Sequence, residues 1–153
     1  MDLIFWRHAE AQLGSPTLED LDRPLTPRGD KHAKRMAAWL SKQLPEATKI
    51  WVSPALRTVQ TVLVLERKYK IRDELAPDSN PEALLKAIHW PAAKSTTLVV
   101  GHQPLIGKTI AHLLGLNEQE IAIKKGAVWW LRYREREGIG QTVVVTVQTP
   151  ELL

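Results

Sequence analysis

Three short apolar runs, each ending where a helix is set to begin, constrain the fold of this chain more than any other feature. They lie at residues 3–6, 49–52 and 97–100, and each is followed by a segment whose apolar residues recur at helical spacing. Apolar runs of about four to eight residues are typical of buried strands, and strands that alternate with helices form parallel sheets covered on both faces. The sequence therefore predicts an α/β fold, a three-layer sandwich around a mostly parallel central sheet.

Capping residues mark where the helices begin. A polar N-cap residue followed by proline, or proline alone, is a helix-start signal. The second predicted helix runs to about Lys68, and residues 71–75 are predicted as a third strand before the next helix. The predicted helix starts are Thr26-Pro27, Ser53-Pro54, Asn80-Pro81 and Pro104.

The last part of the chain has a different pattern. Residues 127–133 and 142–147 are rich in β-branched and aromatic residues, and the polar segment 135–140 separates them. This pattern predicts an antiparallel hairpin that closes one side of the sheet. No linker or repeat interrupts the 153 residues, a length that suits one hydrophobic core. We therefore expect a single domain over residues 1–153.

Composition and charge argue against several classes of protein. The chain has no cysteine, so neither disulfides nor thiolate metal sites are possible. No segment approaches the ~20 apolar residues that span a bilayer, and the N-terminal apolar run is too short for a signal peptide. The net charge of +4 comes from lysines and arginines spread along the chain, which is typical of solvated helix faces. We expect a cytoplasmic protein that binds neither membrane nor nucleic acid.

Three of the predicted strand-to-helix junctions carry arginine or histidine. Arg7 and His8 follow the first strand, Arg57 lies in the first turn after the second, and His102 follows the strand at 97–100. In a parallel sheet these junctions share the carboxyl edge, where ligands bind. Two guanidinium groups, a protonated imidazole and the N–H groups of helix starts suit phosphate oxygens. The sequence predicts a phosphate site that needs no metal and no cofactor, and the lack of a glycine-rich Walker loop argues against a nucleoside-triphosphate machine.

Four motifs follow one another along residues 3 to about 107. They are Arg7-His8-Ala9-Glu10, Arg23-Pro24-Leu25-Thr26, Ser53-Pro54-Ala55-Leu56-Arg57-Thr58 and Gly101-His102-Gln103-Pro104-Leu105. In this order they resemble the histidine phosphatase superfamily, in particular its small SixA-type branch of phosphohistidine phosphatases. Each motif alone is weak, whereas the ordered set is specific. Ala9 departs from the wider superfamily, which has glycine there, but the small branch tolerates alanine.

The resemblance implies a role for each matched residue. His8 would be the nucleophile that takes the phosphoryl group, with Arg7 beside it. Arg57 and His102 would be catalytic residues that hold the phosphoryl oxygens, and Arg23 would approach the same group from its loop. His8 must attack as a neutral imidazole, and the neighbouring cations favour that form.

A phosphate ester would also need a general acid for its leaving alkoxide. In larger family members the resemblance places a carboxylate on an insertion after the second strand-helix unit, but only residues 69–96 fill that interval here. A phosphohistidine substrate avoids the need, because a protonated imidazole leaves readily, and without the insertion a protein surface can reach the cleft. The available carboxylates, none of which lies in a recognisable acid motif, are Glu10, Glu74, Asp78 and Glu82.

The expected function is therefore a metal-independent phosphatase that acts through a covalent phosphohistidine intermediate. Its substrate would be phosphohistidine on a signalling or phosphotransfer protein, such as a histidine-phosphotransfer domain or a sugar-uptake phosphocarrier, and the enzyme itself is expected to be a monomer. Two alternatives stay open. One is a general phosphomonoesterase or mutase for small metabolites, and the other is a non-catalytic phosphate-binding module.

Overall fold

A computed structural model describes residues 1–117 and 119–153. Within these residues the chain forms six strands and four α-helices, with short 3-10 helices at Asp20–Asp22, Asp73–Leu75 and Pro150–Leu152. The strands are β1 (Asp2–Arg7), β2 (Lys49–Val52), β3 (Lys70–Ile71), β4 (Thr97–Gly101), β5 (Val128–Arg136) and β6 (Ile139–Gln148). The helices are α1 (Pro27–Gln43), α2 (Leu56–Leu63), α3 (Pro81–Ala87) and α4 (Leu105–Leu113). None of these helices in the described residues is long and apolar enough to cross a membrane.

All the strands lie in one sheet, in the order β3-β2-β4-β1-β5-β6. Strands β3, β2, β4 and β1 are parallel to one another. Strand β5 pairs with β1 in antiparallel fashion, and β6 continues the hairpin. The predicted α/β fold, with a mostly parallel sheet and a C-terminal antiparallel hairpin, is confirmed.

The strands alternate their side chains between two apolar layers, as the period of two in a strand requires. One layer lies under α1 and α2, and the other lies under α3 and α4, so helices cover both faces of the sheet. The first layer includes Ile4, Trp6, Val52, Leu98, Met36, Leu40 and Val62. The second includes Leu3, Phe5, Val99, Leu84, Ile106 and Ile110.

The caps predicted for α1 and α3 are confirmed. The Thr26 side chain accepts a hydrogen bond from the N–H of Gly29, and the Asn80 side chain accepts one from the N–H of Ala83. These bonds satisfy backbone donors that a helix start otherwise leaves unpaired.

Two predicted element boundaries were wrong. Helix α2 has Ala55 as its N-cap and ends at Leu63, so it begins later than Ser53-Pro54 and stops well before Lys68. Strand β3 is only two residues long, because the chain turns into a 3-10 helix over Asp73–Leu75. A pair of acidic residues in a first turn favours that helical turn over an extended strand.

Several tryptophans contribute to the core. Trp6 is fully buried and Trp130 is nearly so, and Trp130 meets Trp39 edge to face with ring centroids 6.4 Å apart. Trp51 is half-buried and lies beneath the cationic groups of Lys70 and Arg72.

Candidate active site

The carboxyl ends of three adjacent strands hold the predicted phosphate residues. Strand β4 lies between β1 and β2, and backbone hydrogen bonds continue past the strand ends. The N–H of His8 donates to Gly101 O over 3.0 Å, and the N–H of Ser53 donates to Val100 O over 3.1 Å. His8, Ser53 and His102 are therefore neighbours in space, although His8 and His102 are 94 positions apart in the sequence (102 − 8).

The two histidines face each other in a buried setting. Their ring centroids are 5.3 Å apart, and the exposed fractions of His8 and His102 are 7% and 1%. Nδ1 of His8 lies 2.7 Å from Ala9 O. Because a carbonyl oxygen can only accept, Nδ1 carries the proton and Nε2 carries the lone pair. His8 thus carries its free lone pair on Nε2.

Arg57 is buried in the first turn of α2, and the loop before α1 reaches over to meet it. Nη1 donates to Asp20 O over 2.7 Å, and Nη2 donates to Asp20 Oδ2 over 3.2 Å. Arg23 joins the same carboxylate, since its Nε donates to Asp20 Oδ1 over 3.1 Å while Nη1 donates to Gln12 O. The structure therefore brings Arg23 next to Arg57 through a shared partner, Asp20.

Arg7 is anchored from the other side of the sheet. Its Nη1 donates to Ile123 O over 2.6 Å. Nε of Arg7, Nε of Arg57 and Nδ1 of His102 are buried and have no hydrogen-bond partner within residues 1–117 and 119–153. Buried polar atoms are nearly always paired, so three unpaired nitrogens beside His8 indicate a binding site.

The surroundings keep both histidines neutral. Burial is the main cause that lowers the pKa of His8 to about 4; the hydrogen bond to Ala9 O opposes the shift, and the charges of Arg57, Arg7 and Arg23 add to it. Burial lowers the pKa of His102 to about 3, with His8 and Arg57 adding to the effect. A neutral His8 agrees with our prediction. The expectation of a protonated imidazole among the phosphate-binding charges is wrong for the protein by itself, because His102 is too deeply buried among cations.

The same electrostatics act on the arginines and on Asp20. Burial lowers the pKa of Arg7 and of Arg57, although both stay protonated. Burial raises the pKa of Asp20, but its hydrogen bond to Arg57 and the charges of Arg57 and Arg23 outweigh this and lower it overall. Asp20 is therefore a carboxylate at neutral pH, without a proton to donate.

We expect the protein to lose stability as the pH falls from about 6.5 to about 4. The folded-state pKa of His8 lies below the ordinary value of 6.5. The unfolded chain therefore binds more protons over this interval, and the free energy of unfolding decreases as pH falls. His8 alone accounts for a loss on the order of 3 kcal/mol at the acid end. Urea unfolding at pH 7, 5.5 and 4.5 should show a shallower pH dependence for His8→Asn than for the wild type. Equal pH dependence in the two proteins would contradict the lowered pKa of His8.

Comparisons with known proteins bear directly on this site. The sequence model of the histidine phosphatase superfamily (branch 1) matches residues 3–78. The chain is 34% identical over 122 residues to phosphohistidine phosphatase SixA of Escherichia coli (strain K12), covering 74% of each protein. It is 30% identical over 131 residues to a SixA homolog of Haemophilus influenzae, covering 75% of this chain and 78% of that protein.

This chain belongs to the histidine phosphatase superfamily. Within the superfamily it falls in the SixA-type branch, and it is a hydrolase of the phosphatase type. A solved structure of the protein histidine phosphatase SixA complexed with tungstate matches the fold with a TM-score of 0.80, at 27% identity and 99% coverage of both chains. The resemblance noted in the four motifs is thereby confirmed.

None of the four carboxylates considered as a general acid stands out as a candidate for that role in this histidine phosphatase. Oε1 of Glu10 accepts a hydrogen bond from Thr26 Oγ1 over 2.8 Å. Glu74 pairs with Arg72 beside the edge strand β3. Strands β2 and β4 separate β3 from β1, so Glu74 follows a strand roughly 14 Å away at the usual strand spacing. Asp78 and Glu82 are exposed near the start of α3.

Sequence reasoning missed three side chains that shape the site of this histidine phosphatase. Asp20 begins the short 3-10 helix Asp20–Asp22, and its only signal in the sequence was its i, i+3 spacing from Arg23. Ser53 was predicted as a helix cap, but its hydroxyl lies 2.7 Å from Nε2 of His102. Thr61 Oγ1 accepts from the N–H of Ala9 and donates to Arg57 O, which ties the His8 loop to α2. The contacts of Asp20 with Arg57, of Ser53 with His102 and of Thr61 with Ala9 join segments far apart in the chain, so no local sequence pattern marks them.

Proposed function

We propose that this protein is a metal-independent phosphatase that removes the phosphoryl group from phosphohistidine on a partner protein. The observation that carries the proposal is the trio of unpaired buried nitrogens beside His8, namely Nε of Arg7, Nε of Arg57 and Nδ1 of His102. The oxygens of a phosphoryl group bound beside His8 would be acceptors for such donors. SixA, whose structure was solved with the tetrahedral oxyanion tungstate, supports this assignment.

The chemistry proposed for His8 follows from its hydrogen bond. With its Nδ1 proton held by Ala9 O, Nε2 attacks the phosphorus atom as a neutral nucleophile. A new P–Nε2 bond forms while the P–N bond of the substrate breaks, and the substrate imidazole departs with the bonding electron pair. Water then attacks the phosphorus of phosphorylated His8, and inorganic phosphate leaves as Nε2 recovers its lone pair. The covalent intermediate divides one displacement into two.

The cations supply the rest of the catalysis. In phosphoryl transfer the transition state spreads negative charge over three equatorial oxygens, and fixed donors stabilise that charge without reorganising. Arg7, Arg57 and Arg23 supply positive charge, and buried guanidinium groups act in a setting of low dielectric. This arrangement gives the charge neutralisation for which many phosphatases use metal ions, and it is why we propose metal independence. No cluster of three metal-binding side chains occurs within the described part of the chain.

The preference for phosphohistidine rests on the state of the nearby carboxylates. The carboxylate in direct contact with the arginines, Asp20, is held deprotonated by Arg57 and Arg23. It therefore cannot protonate a leaving alkoxide at neutral pH. A leaving imidazole that carries a proton on its other nitrogen needs no such acid, so phosphohistidine is the easier substrate for this site.

The partner proposed on this basis is a protein that carries phosphohistidine on its surface. Phosphohistidine is the transfer intermediate of histidine-phosphotransfer domains and of sugar-uptake phosphocarriers, so both are candidate partners. The curated relatives that support this choice are named as phosphohistidine phosphatases.

The proposal is tested by measuring phosphate release from a phosphohistidine phosphocarrier and from an aryl phosphomonoester in parallel, both in excess EDTA. We expect release from phosphohistidine to be faster by at least about 100-fold in kcat/KM, which corresponds to ~3 kcal/mol of discrimination. Faster hydrolysis of the ester would support a phosphomonoesterase. Loss of activity in EDTA that added Mg²⁺ restores would contradict metal independence, and phosphate binding without release from either substrate would indicate a binding module.

A further inference from the structure

His102 is held by one side-chain hydrogen bond in the described residues, and it has an unusual partner. Its Nε2 lies 2.7 Å from Oγ of Ser53. The exposed fraction of Ser53 is 0% and that of His102 is 1%, so water does not compete for this contact. The opposite ring nitrogen, Nδ1, is one of the unpaired buried atoms. Which nitrogen carries the proton therefore depends on the Ser53 hydroxyl.

The contacts of the hydroxyl decide the direction of this hydrogen bond. Oγ of Ser53 already accepts from the N–H of Ala55 over 3.3 Å. A serine hydroxyl has one hydrogen to donate, and within the described chain Nε2 of His102 is the acceptor in reach. If Nε2 carried the proton instead, the hydroxyl would accept twice and its own hydrogen would stay buried without a partner. Because Nδ1 lacks a protein partner in either tautomer, the Nε2–H form would add a second buried group without a partner and is therefore disfavoured.

We infer that Ser53 donates to Nε2 of His102 and thereby fixes His102 as the Nδ1–H tautomer. Ser53 is then a positioning residue for the phosphoryl group. This role for Ser53 rests on the proposed function, because it concerns how His102 would bind the phosphoryl group of the proposed substrate. The low pKa of His102 supports it, because a neutral ring must choose between two tautomers whereas a protonated ring would not.

The tautomer determines what His102 can do to a phosphoryl oxygen. An Nδ1–H group donates a hydrogen bond to that oxygen, as the two arginine Nε–H groups do. The other tautomer would present a lone pair to a negative oxygen, which is repulsive. Ser53 thus makes His102 an uncharged donor, which does not need to become protonated before it binds the substrate.

The direct test is ¹⁵N–¹H NMR of the histidine side chains in the resting protein. We expect the resonance that disappears in His102→Gln to show a protonated Nδ1 and a bare Nε2. Ser53→Ala should shift His102 toward the Nε2–H tautomer or a mixture, and Ser53→Thr, which restores a hydroxyl, should return it. Thr109→Val is the matched control. It removes a buried hydroxyl of α4 that bonds to Leu105 O, and it should leave the tautomer unchanged.

Activity supplies the second readout. We expect Ser53→Ala to lower kcat/KM for phosphohistidine by about 10- to 100-fold, as losing the partner of a site histidine commonly does. Ser53→Thr should recover most of this loss, and Thr109→Val should match the wild type. A wild-type His102 with Nε2–H, or an unchanged tautomer in Ser53→Ala, would overturn the inference. The NMR result does not depend on the substrate, so a correct tautomer in a protein inactive on phosphohistidine would refute the proposed function alone.

Discussion

Replacing His8 with alanine is expected to lower phosphate release from a phosphohistidine protein by at least about 1000-fold, because the variant has no nucleophile to form the covalent intermediate. His8 presents Nε2 toward the site with its Nδ1 proton held by Ala9 O, and an alanine supplies no lone pair at that position. Rapid-quench reactions with a ³²P-labelled substrate should trap a labelled wild-type enzyme. The label should be stable to alkali and labile to acid, as a phosphoramidate is.

The controls for His8 separate chemistry from binding. His8→Asn should still bind inorganic phosphate, since the arginines and His102 remain. His112→Ala changes an exposed histidine of α4 and should leave both the rate and the label unchanged. Labelled enzyme in His8→Ala would show that another residue takes the phosphoryl group.

Replacing Arg57 with alanine is expected to cost about 100- to 1000-fold in kcat/KM, the usual loss when one fixed donor to a developing oxyanion is removed. The Arg57 guanidinium is buried, and its Nε has no partner within the described residues. Its removal also leaves the Asp20 carboxylate with only Arg23 as a partner, so an anion stays beside the phosphoryl group. Steady-state kinetics on the phosphohistidine protein measure the combined loss.

Further variants separate the loss of the Arg57 donor from the effect of the Asp20 carboxylate that it leaves behind. Arg57→Lys keeps the charge but loses the planar fork, so it should recover only a small part of the rate. Combining Arg57→Ala with Asp20→Asn removes the uncompensated carboxylate and should recover up to about 10-fold. Arg67→Ala is the matched control, since Arg67 donates to the carbonyls of Leu44 and Pro45, just after α1. A wild-type rate in Arg57→Ala would show that this arginine does not touch the transferred group.

The parts of the fold that sequence predicted well are those governed by local chemistry. The N-caps Thr26 and Asn80 were identified correctly because a side-chain oxygen needs only the N–H three residues on. The end of α2 was predicted too far along, since the apolar stripe continues past Leu63 whereas the hydrogen-bonded helix does not. Where a helix stops depends on its tertiary surroundings as much as on its periodicity.

For the site, sequence predicted that arginines and histidines from distant segments meet at one edge of the sheet, and the structure brings them together there. Arg7 ends β1, His8 and His102 directly follow β1 and β4, and the alternation of strands and helices required those strand ends to share an edge. Sequence alone predicted a protonated imidazole at the phosphate site, whereas burial and charges brought in from other segments lower the pKa of His102 to about 3.

The sequence by itself therefore determined the order of strands and helices, the family, and the set of cations and imidazoles at one edge of the sheet. Only the tertiary structure decided that Asp20 binds Arg57 and Arg23, that Ser53 contacts Nε2 of His102, and that three buried nitrogens have no partner among residues 1–117 and 119–153. The reason is physical. Strand and helix patterns arise from neighbours in the chain, whereas desolvation, tautomers and charge pairing arise from groups that meet only after the chain has folded.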